Sequence, residues 1–303
     1  MNKDNEKKDE ILKTLKSHLQ SHNIEFIDQE DSIDFQCQQC GRCCRNRNDL
    51  ILNPFDVYKG AKYLNITPME FLEKYTLPSL GGTSKIPIVL LKTEENGNCP
   101  FLKLGGDFKY KCEIHEAKPG VCANHPIGVV RNFQRTDHTS SISFIKTEQC
   151  PNSKGHNELH KVKDWCKDYL DNIEEIKIAQ DLQTLVDQYF PCNVFHALTS
   201  DLLTEKKEES FTEDQKEVKE QLINLFDNFA VRYVFYIYAH YNTSRPFIEQ
   251  AKENKETITN NIIIPIQRLL KDFCASVSPE LIKILEDVAH MSYDKFFMTN
   301  PEE

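Results

Sequence analysis

The stretch FQCQQCGRCC, Phe35 to Cys44, puts four cysteines within eight residues, spaced C-x2-C-x2-C-C. A C-x2-C loop can bring two thiolates to one metal, which is why the spacing recurs in zinc and iron–sulfur sites. Thiolate ligands select zinc, copper(I) or iron–sulfur clusters over hard, oxygen-seeking ions. Gly41, directly after Cys40, supplies backbone freedom for a tight wrap. Cys43 and Cys44 are neighbours, and neighbouring side chains point to opposite faces of an extended segment. In a helical turn they still diverge by about a quarter-turn. The expectation is therefore that one serves a first metal and the other a second centre, or another iron of a cluster. Cys99, Cys112, Cys122 and Cys150 bring the candidate ligands, with Cys37, Cys40, Cys43 and Cys44, to eight. Eight thiols suffice for two four-thiolate sites, or for one iron–sulfur cluster and one zinc. Cys99 and Cys150 each precede a proline, and Cys122 closely follows Pro119-Gly120, so all three fall at turns. The competing reading makes some of these four buried structural thiols, a common fate of free cysteine.

Other candidates are weaker. His115 follows Cys112 by three residues and His125 follows Cys122 by three, so either can replace a thiolate or support one by a hydrogen bond; ordinary polar roles compete. His156 and His160 stand four apart on an expected helix, but the H-E-x-x-H pattern is absent, and they read as exposed helix residues. Cys166 and Cys274 sit on apolar stripes and read as core thiols, whereas Cys192 follows Pro191 at a helix end. There is no G-x-x-x-x-G-K-[ST] or G-x-G-x-x-G phosphate loop and no G-x-S-x-G elbow. The radical-SAM triplet C-x3-C-x2-C is also missing.

The chain that must position these groups has 303 residues, 39% hydrophobic and 28% charged, enough for a respectable core in one large or two ordinary domains. Its net charge of −10 argues against non-specific nucleic-acid binding, which needs a positive surface. The N-terminal MNKDNEKKDEILKTLKSHLQ is charged throughout and does not read as a secretory signal. The apolar run Ala230–Tyr241 contains Arg232 and is too short to span a bilayer, so it reads as a buried helix. No membrane association and a cytoplasmic location are expected. Eleven cysteines in a reducing compartment point to metal or catalysis rather than disulfides, and the odd count suits a disulfide framework poorly.

Two regions are expected. The first, residues 24–152, is irregular and rich in Gly, Pro and Cys, with short helices starting at Asn53-Pro54 and Thr67-Pro68, each offering an N-cap, a proline at N1 and an acid at N3. Strands are predicted at Ile86–Leu91 and Ser141–Thr147, and turns at GGTS and NGNCP. The second, residues 153–303, reads as helical. Leu159, Val162, Cys166, Tyr169, Ile173 and Ile176 recur at steps of three and four, and Leu182, Leu185, Val186 and Tyr189 extend the stripe to Pro191. A charged connector spans about 205–217. A helix capped by Thr212 and Gln215 follows, then two more, around Ile263–Phe273 and from Ser278-Pro279, as in a small bundle.

The words CQQCGRCC (37–44), NPFDVYKGAKYLNITPMEFLEKY (53–75), CPFL (99–102), CEIHEAKPGVC (112–122), HP (125–126) and CP (150–151) occur in the order that marks the CxxCxxCC zinc- or iron-chelating family. The first half of the chain thus resembles the YkgJ-like cysteine-cluster proteins. The resemblance implies a metal-chelating cysteine cluster, described for the family as zinc or iron, iron–sulfur included, and no single assigned reaction. One departure is Lys118-Pro119, where the family has Arg-Pro; a lysine lacks the bidentate geometry of arginine. The C-terminal half lies outside the resemblance.

The expected fold class is α+β: an irregular cysteine-rich metal-binding domain with short helices and strands, followed by a mainly α-helical C-terminal region. The expected cofactor is an iron–sulfur cluster on the eight cysteines, with a redox or cluster-assisted role, because eight close thiolates with a vicinal pair suit a polynuclear centre. The alternatives are a structural zinc module whose helical half binds a protein or peptide partner, and an enzyme modifying a protein or peptide at a metal-organised site with His125 and Arg131 nearby.

Overall fold

The computed structural model describes residues 25–81, 86–133, 140–146, 158–186, 229–266 and 268. The expected end of the stripe at Tyr189 and Pro191, the connector 205–217, the helix capped at Thr212 and the last helix from Ser278 all lie outside the described residues. In chain order the elements are strands β1 (Glu25–Ile27) and β2 (Ser32–Asp34), a 3-10 turn (Arg42–Cys44), β3 (Ile51–Leu52), helices α1 (Pro54–Leu64) and α2 (Pro68–Tyr75), and strands β4 (Thr76–Leu80) and β5 (Pro87–Leu91). Then come β6 (Leu102–Leu104), β7 (Tyr110–Cys112), a 3-10 turn (His115–Ala117), α3 (Gly120–Asn124), β8 (Ile127–Phe133), β9 (Ser140–Lys146) and β10 (Leu159–Lys161). The series closes with α4 (Val162–Trp165), α5 (Lys167–Asp171), α6 (Ile173–Gln183), a π-helical turn (Phe235–Ala239), α7 (Phe247–Ile258) and a second π-helical turn (Thr259–Ile263). Helices and small antiparallel sheets occur together, so the class is α+β.

The contacts divide the chain into two compact units. One takes the described residues of Met1–Arg45 and Phe101–Ile173, the other those of Asn46–Pro100 and Glu174–Glu303.

In the first unit β9 lies between β1 and β8, antiparallel to both, with Phe26 opposite Ile145 and Val129 opposite Phe144. β2 pairs with β10, placing Ile33 opposite His160. Ile33, Phe35, Ile127, Phe144, Val162 and Cys166 form the core, with Trp165 and Leu170 packed against it. Phe35 is the last core residue before the cysteine run, and its ring meets Trp165 edge-on at 5.2 Å. The Trp165 indole N–H donates to the carbonyls of Asn124 (3.1 Å) and His125 (3.2 Å), which ties the end of α3 to α4. At the surface Glu30 holds both Lys161 (3.1 Å) and Lys163 (2.7 Å) across the β2–β10 pair.

The helical stripe expected from Leu159 begins three residues later. Leu159, His160 and Lys161 form a strand on β2, and Leu159 is 70% exposed. A ladder to a segment some 125 residues earlier satisfies this backbone, and non-local pairing overrides the local period. From Val162 the stripe is helical but broken into α4, α5 and α6, with Val162, Cys166, Tyr169, Ile176 and Leu182 buried as their spacing implies.

In the second unit β5 lies between β3 and β4. Both expected helix starts are present as full capping boxes. The Asn53 side chain accepts from the Asp56 N–H (2.9 Å) while Asp56 accepts from the Asn53 N–H (3.1 Å), and Thr67 with Glu70 repeats the exchange. α1, α2 and α7 pack around the Phe235–Ala239 turn. The Ala230–Tyr241 run is a half-buried surface segment rather than a wholly buried helix: Tyr233, Ile237 and Tyr238 face inward while Val231 and Phe235 are exposed. The Tyr233 hydroxyl donates to the Leu182 carbonyl (2.8 Å) and Gln183 donates to the Tyr238 hydroxyl (2.7 Å), so the run is locked to α6 through its polar tips. Among the described residues, no helix is long and apolar enough to cross a membrane.

α1 lies so close to α2 that a Cβ at Gly60 would come within 2.6 Å of the buried Phe71 ring. Gly60→Ala should therefore destabilise the protein by about 1–3 kcal/mol, as overpacked cores do. A thermal melt in which Gly60→Ala matches or exceeds the parent would contradict this packing.

Candidate metal centre

The cysteine run turns on Gly41, whose φ of +71° is left-handed. From there Arg42, Cys43 and Cys44 make a single 3-10 turn: the Cys44 N–H donates to the Gly41 carbonyl (3.1 Å) and the Arg45 N–H to that of Arg42 (3.3 Å). None of the three turn residues is buried. β7 backs the turn. The Tyr110 N–H donates to the Gln39 carbonyl (2.9 Å), and the Tyr110 ring would lie 3.1 Å from a Cβ at Gly41. The Arg45 guanidinium covers that ring at 4.5 Å from its centroid, a cation–π contact.

The two neighbouring sulfurs do not diverge as expected. On this turn Cys43 Sγ and Cys44 Sγ stand 3.9 Å apart. That is close to the ~3.8 Å edge of a tetrahedron of thiolates at about 2.3 Å from zinc. Cys112 closes β7, opposite Leu102, two residues beyond Tyr110. Burial is the main cause pushing its thiol up, and the Cys43 and Glu113 charges add to it, while the Ile114 N–H and Lys118 act in the opposite sense. Cys43 is thus within electrostatic reach of Cys112. Lys118, the residue at which the sequence departs from Arg-Pro, works as a point charge favouring the Cys112 thiolate.

Cys122 sits in α3, its N–H bonded to the Pro119 carbonyl at 2.9 Å, and is half-buried. Cys99 belongs to the second unit, directly after the turn in which the Glu94 N–H donates to Asn98 and the Gly97 N–H to Glu94. Cys37 and Cys43 are exposed, and Cys40, Cys44, Cys99, Cys112 and Cys122 are half-buried; all are thiols rather than disulfides. Cys166 differs: it is 0% exposed in the core, and burial pushes its thiol up to about 12. Cys150, Cys192, Cys274 and His156, and the side chain of Arg131, lie outside the described residues. His115 is exposed on its 3-10 turn, and burial first and Lys118 second lower its pKa. His125 meets Phe35 edge-on at 6.0 Å, and His160 lies on a strand against Trp165 at 5.0 Å, not on a helix.

The donor chemistry suits a soft metal, and the fold brings Cys43, Cys44 and Cys112 into one neighbourhood. Among the described residues, no three His, Cys, Asp or Glu side chains already stand in a metal-holding geometry. Residues 36–167 match the family model CxxCxxCC, whose description reads "Putative zinc- or iron-chelating domain". This stretch is similar to the CxxCxxCC family. No curated protein and no solved structure matches the chain. The matched stretch begins at Gln36, ahead of the first cysteine, and runs through β10, α4 and Cys166 to Lys167. It takes in the cysteine run, the Tyr110 hairpin and Trp165 of the first unit, and also residues 46–100, which belong to the second.

The residues that shape the turn, Tyr110 and Arg45, were not among the sequence candidates. A signal for Tyr110 existed: LKLGGDFKYKC alternates about a Gly-Gly-Asp turn, the mark of a hairpin, and its alternation puts Tyr110 and Cys112 on one face.

Exposure and thiol ionisation together set reactivity. In the metal-free full-length protein, iodoacetamide at neutral pH should label Cys37 and Cys43 first, Cys112 more slowly and faster as the pH rises, and Cys166 only on unfolding. Peptide mapping by mass spectrometry reads this order; early labelling of Cys166 would contradict the core described above.

Proposed function

We propose that this protein carries an iron–sulfur cluster on Cys37, Cys40, Cys43, Cys44, Cys99, Cys112, Cys122 and Cys150, within the region 24–152, and serves electron transfer or cluster-assisted chemistry. The observation that supports this most directly is exposure. Free cysteine is ordinarily among the most buried of residues, and Cys166 obeys the rule, whereas Cys37, Cys40, Cys43, Cys44, Cys99, Cys112 and Cys122 stand exposed or half-buried. Thiols withheld from the core in such number are kept for a ligand. The zinc- or iron-chelating description of residues 36–167 supports metal of this class. A reducing cytoplasm is the compartment in which they would persist as thiols. When bound, the cluster would supply a one-electron redox centre. The chain's own part is to hold thiolates, expel their protons and set the surrounding charge. Because burial raises Cys112, metal uptake must release a proton there, so affinity should rise with pH.

One observation favours zinc instead. The 3.9 Å between the Cys43 and Cys44 sulfurs is the spacing of two ligands on a single tetrahedral ion. On that reading the metal holds the loop-rich domain together, and the helical residues beyond 153 form a surface for a protein or peptide.

Anaerobic purification followed by visible spectroscopy and by iron, sulfide and zinc analysis separates the two. Broad visible absorption with iron and acid-labile sulfide is the expected result; a colourless protein with stoichiometric zinc would replace the cluster by the structural ion. Cys40→Ser should lose metal, and Cys166→Ala should keep it. Full metal retention in Cys40→Ser would remove that residue from the ligand set.

A further inference from the structure

The hairpin that backs the cysteine turn carries a residue that folding does not ask for. Between β6 and β7 the chain reverses over Gly105–Lys109: the Phe108 N–H donates to the Gly105 carbonyl (3.1 Å) and the Gly105 N–H to the Lys109 carbonyl (2.8 Å). These two bonds define a three-residue loop in which a type I turn is followed by one left-handed residue, the position at which glycine is the natural occupant. Here the left-handed residue is Phe108, with φ +59°. Two glycines, Gly105 and Gly106, stand beside it at positions with no such need. A bulky residue at positive φ is a conformational outlier and carries strain. Core burial does not account for it either, since Phe108 is 88% exposed, the highest value among the exposed large hydrophobic side chains of the described residues. Leu104, one residue before the turn, is 58% exposed.

Three lysines of the hairpin flank this aromatic, with Asp107 and Glu113 among them. Lys103 and Lys111 face each other directly across the β6–β7 ladder, an arrangement that disfavours the hairpin by itself. Lys109 follows Phe108. Glu113 meets Lys103 at 3.5 Å and Asp107 meets Lys111 at 3.4 Å, partial compensation at solvent-exposed positions. From Leu102 to Glu113 there are three lysines against Asp107 and Glu113, a small positive excess on a chain of net −10.

We infer that the tip of the β6–β7 hairpin is a docking element for an acidic protein, with Phe108 as the anchor entering an apolar pocket and Lys103, Lys109 and Lys111 meeting a carboxylate rim. Both local costs, the left-handed phenylalanine and the opposed lysines, are relieved or repaid only by a partner of that chemistry. A buried aromatic ringed by complementary charge is the usual make-up of an interface hot spot. A lipid surface fits less well. One aromatic and three lysines are a weak membrane signal, and the chain's net negative charge opposes an anionic bilayer. The hairpin ends at Cys112 and rests on Gly41 through Tyr110, so a partner bound there would sit beside the thiols whichever metal they hold.

The test uses the full-length, metal-loaded protein as purified, a pool of fluorescent acidic peptides each carrying one Leu, Phe or Trp, and vesicles containing phosphatidylserine. Wild type should bind members of the pool with an affinity that falls steeply with salt. Phe108→Gly should weaken that binding at least tenfold while raising the melting temperature, because it removes the left-handed strain. Phe108→Asn, which also tolerates that conformation, should behave in the same direction. Lys109→Glu should weaken binding without unfolding the protein. A purely structural role for Phe108 predicts the reverse for Phe108→Gly, a lower melting temperature. That result, unchanged peptide binding in Phe108→Gly, no peptide binding by wild type, or binding to vesicles alone would each overturn the inference.

Discussion

The ring of Tyr110 occupies the space into which a side chain at Gly41 would project, and the presentation of the cysteine run follows from that contact. The turn has almost no apolar content of its own and no buried residue to hold it. Its order comes from outside: the Tyr110 N–H on the Gln39 carbonyl, the ring beneath Gly41 and the Arg45 guanidinium closing over that ring. Phe35, seated in the core, fixes where the run starts. Between these two anchors the thiols face outward, which a metal-binding loop needs and a disulfide-free, well-packed domain otherwise avoids.

A second layer of control is electrostatic. Cys112 lies where burial and the nearby Cys43 disfavour ionisation, while the Ile114 N–H and Lys118 favour it. A lysine at position 118 supplies charge without the fork-shaped hydrogen bonding of arginine. It therefore adjusts the ease of proton loss from Cys112 while leaving the placement of that sulfur to the β6–β7 ladder.

What could be read from the sequence was whatever is decided locally. The starts of α1 and α2 were legible because Asn53-Pro54 with Asp56, and Thr67-Pro68 with Glu70, complete their caps within one turn. β5 and β9 were legible because alternation is a property of adjacent residues. Leu159 was misread because its partner Asp34 is far away in sequence. The grouping of 46–100 with residues beyond 174 depends on contacts such as the Tyr58 hydroxyl on the Arg245 carbonyl (2.6 Å), 187 residues apart. No local period announces such a contact. Within the candidate site, spacing singled out the cysteines, but the 3.9 Å approach of Cys43 and Cys44 depends on a 3-10 turn, which the letters alone did not specify.

The chain has one tryptophan, and Trp165 has its indole N–H on the carbonyls of Asn124 and His125, two and three residues past Cys122. Its ring also touches Phe35, two residues before Cys37, and His160. One chromophore is thus mechanically coupled to both flanks of the thiol-bearing segment. Its emission is a native optical gauge for this unit, reporting on the surroundings of Cys122 and of the cysteine run in one signal without a label.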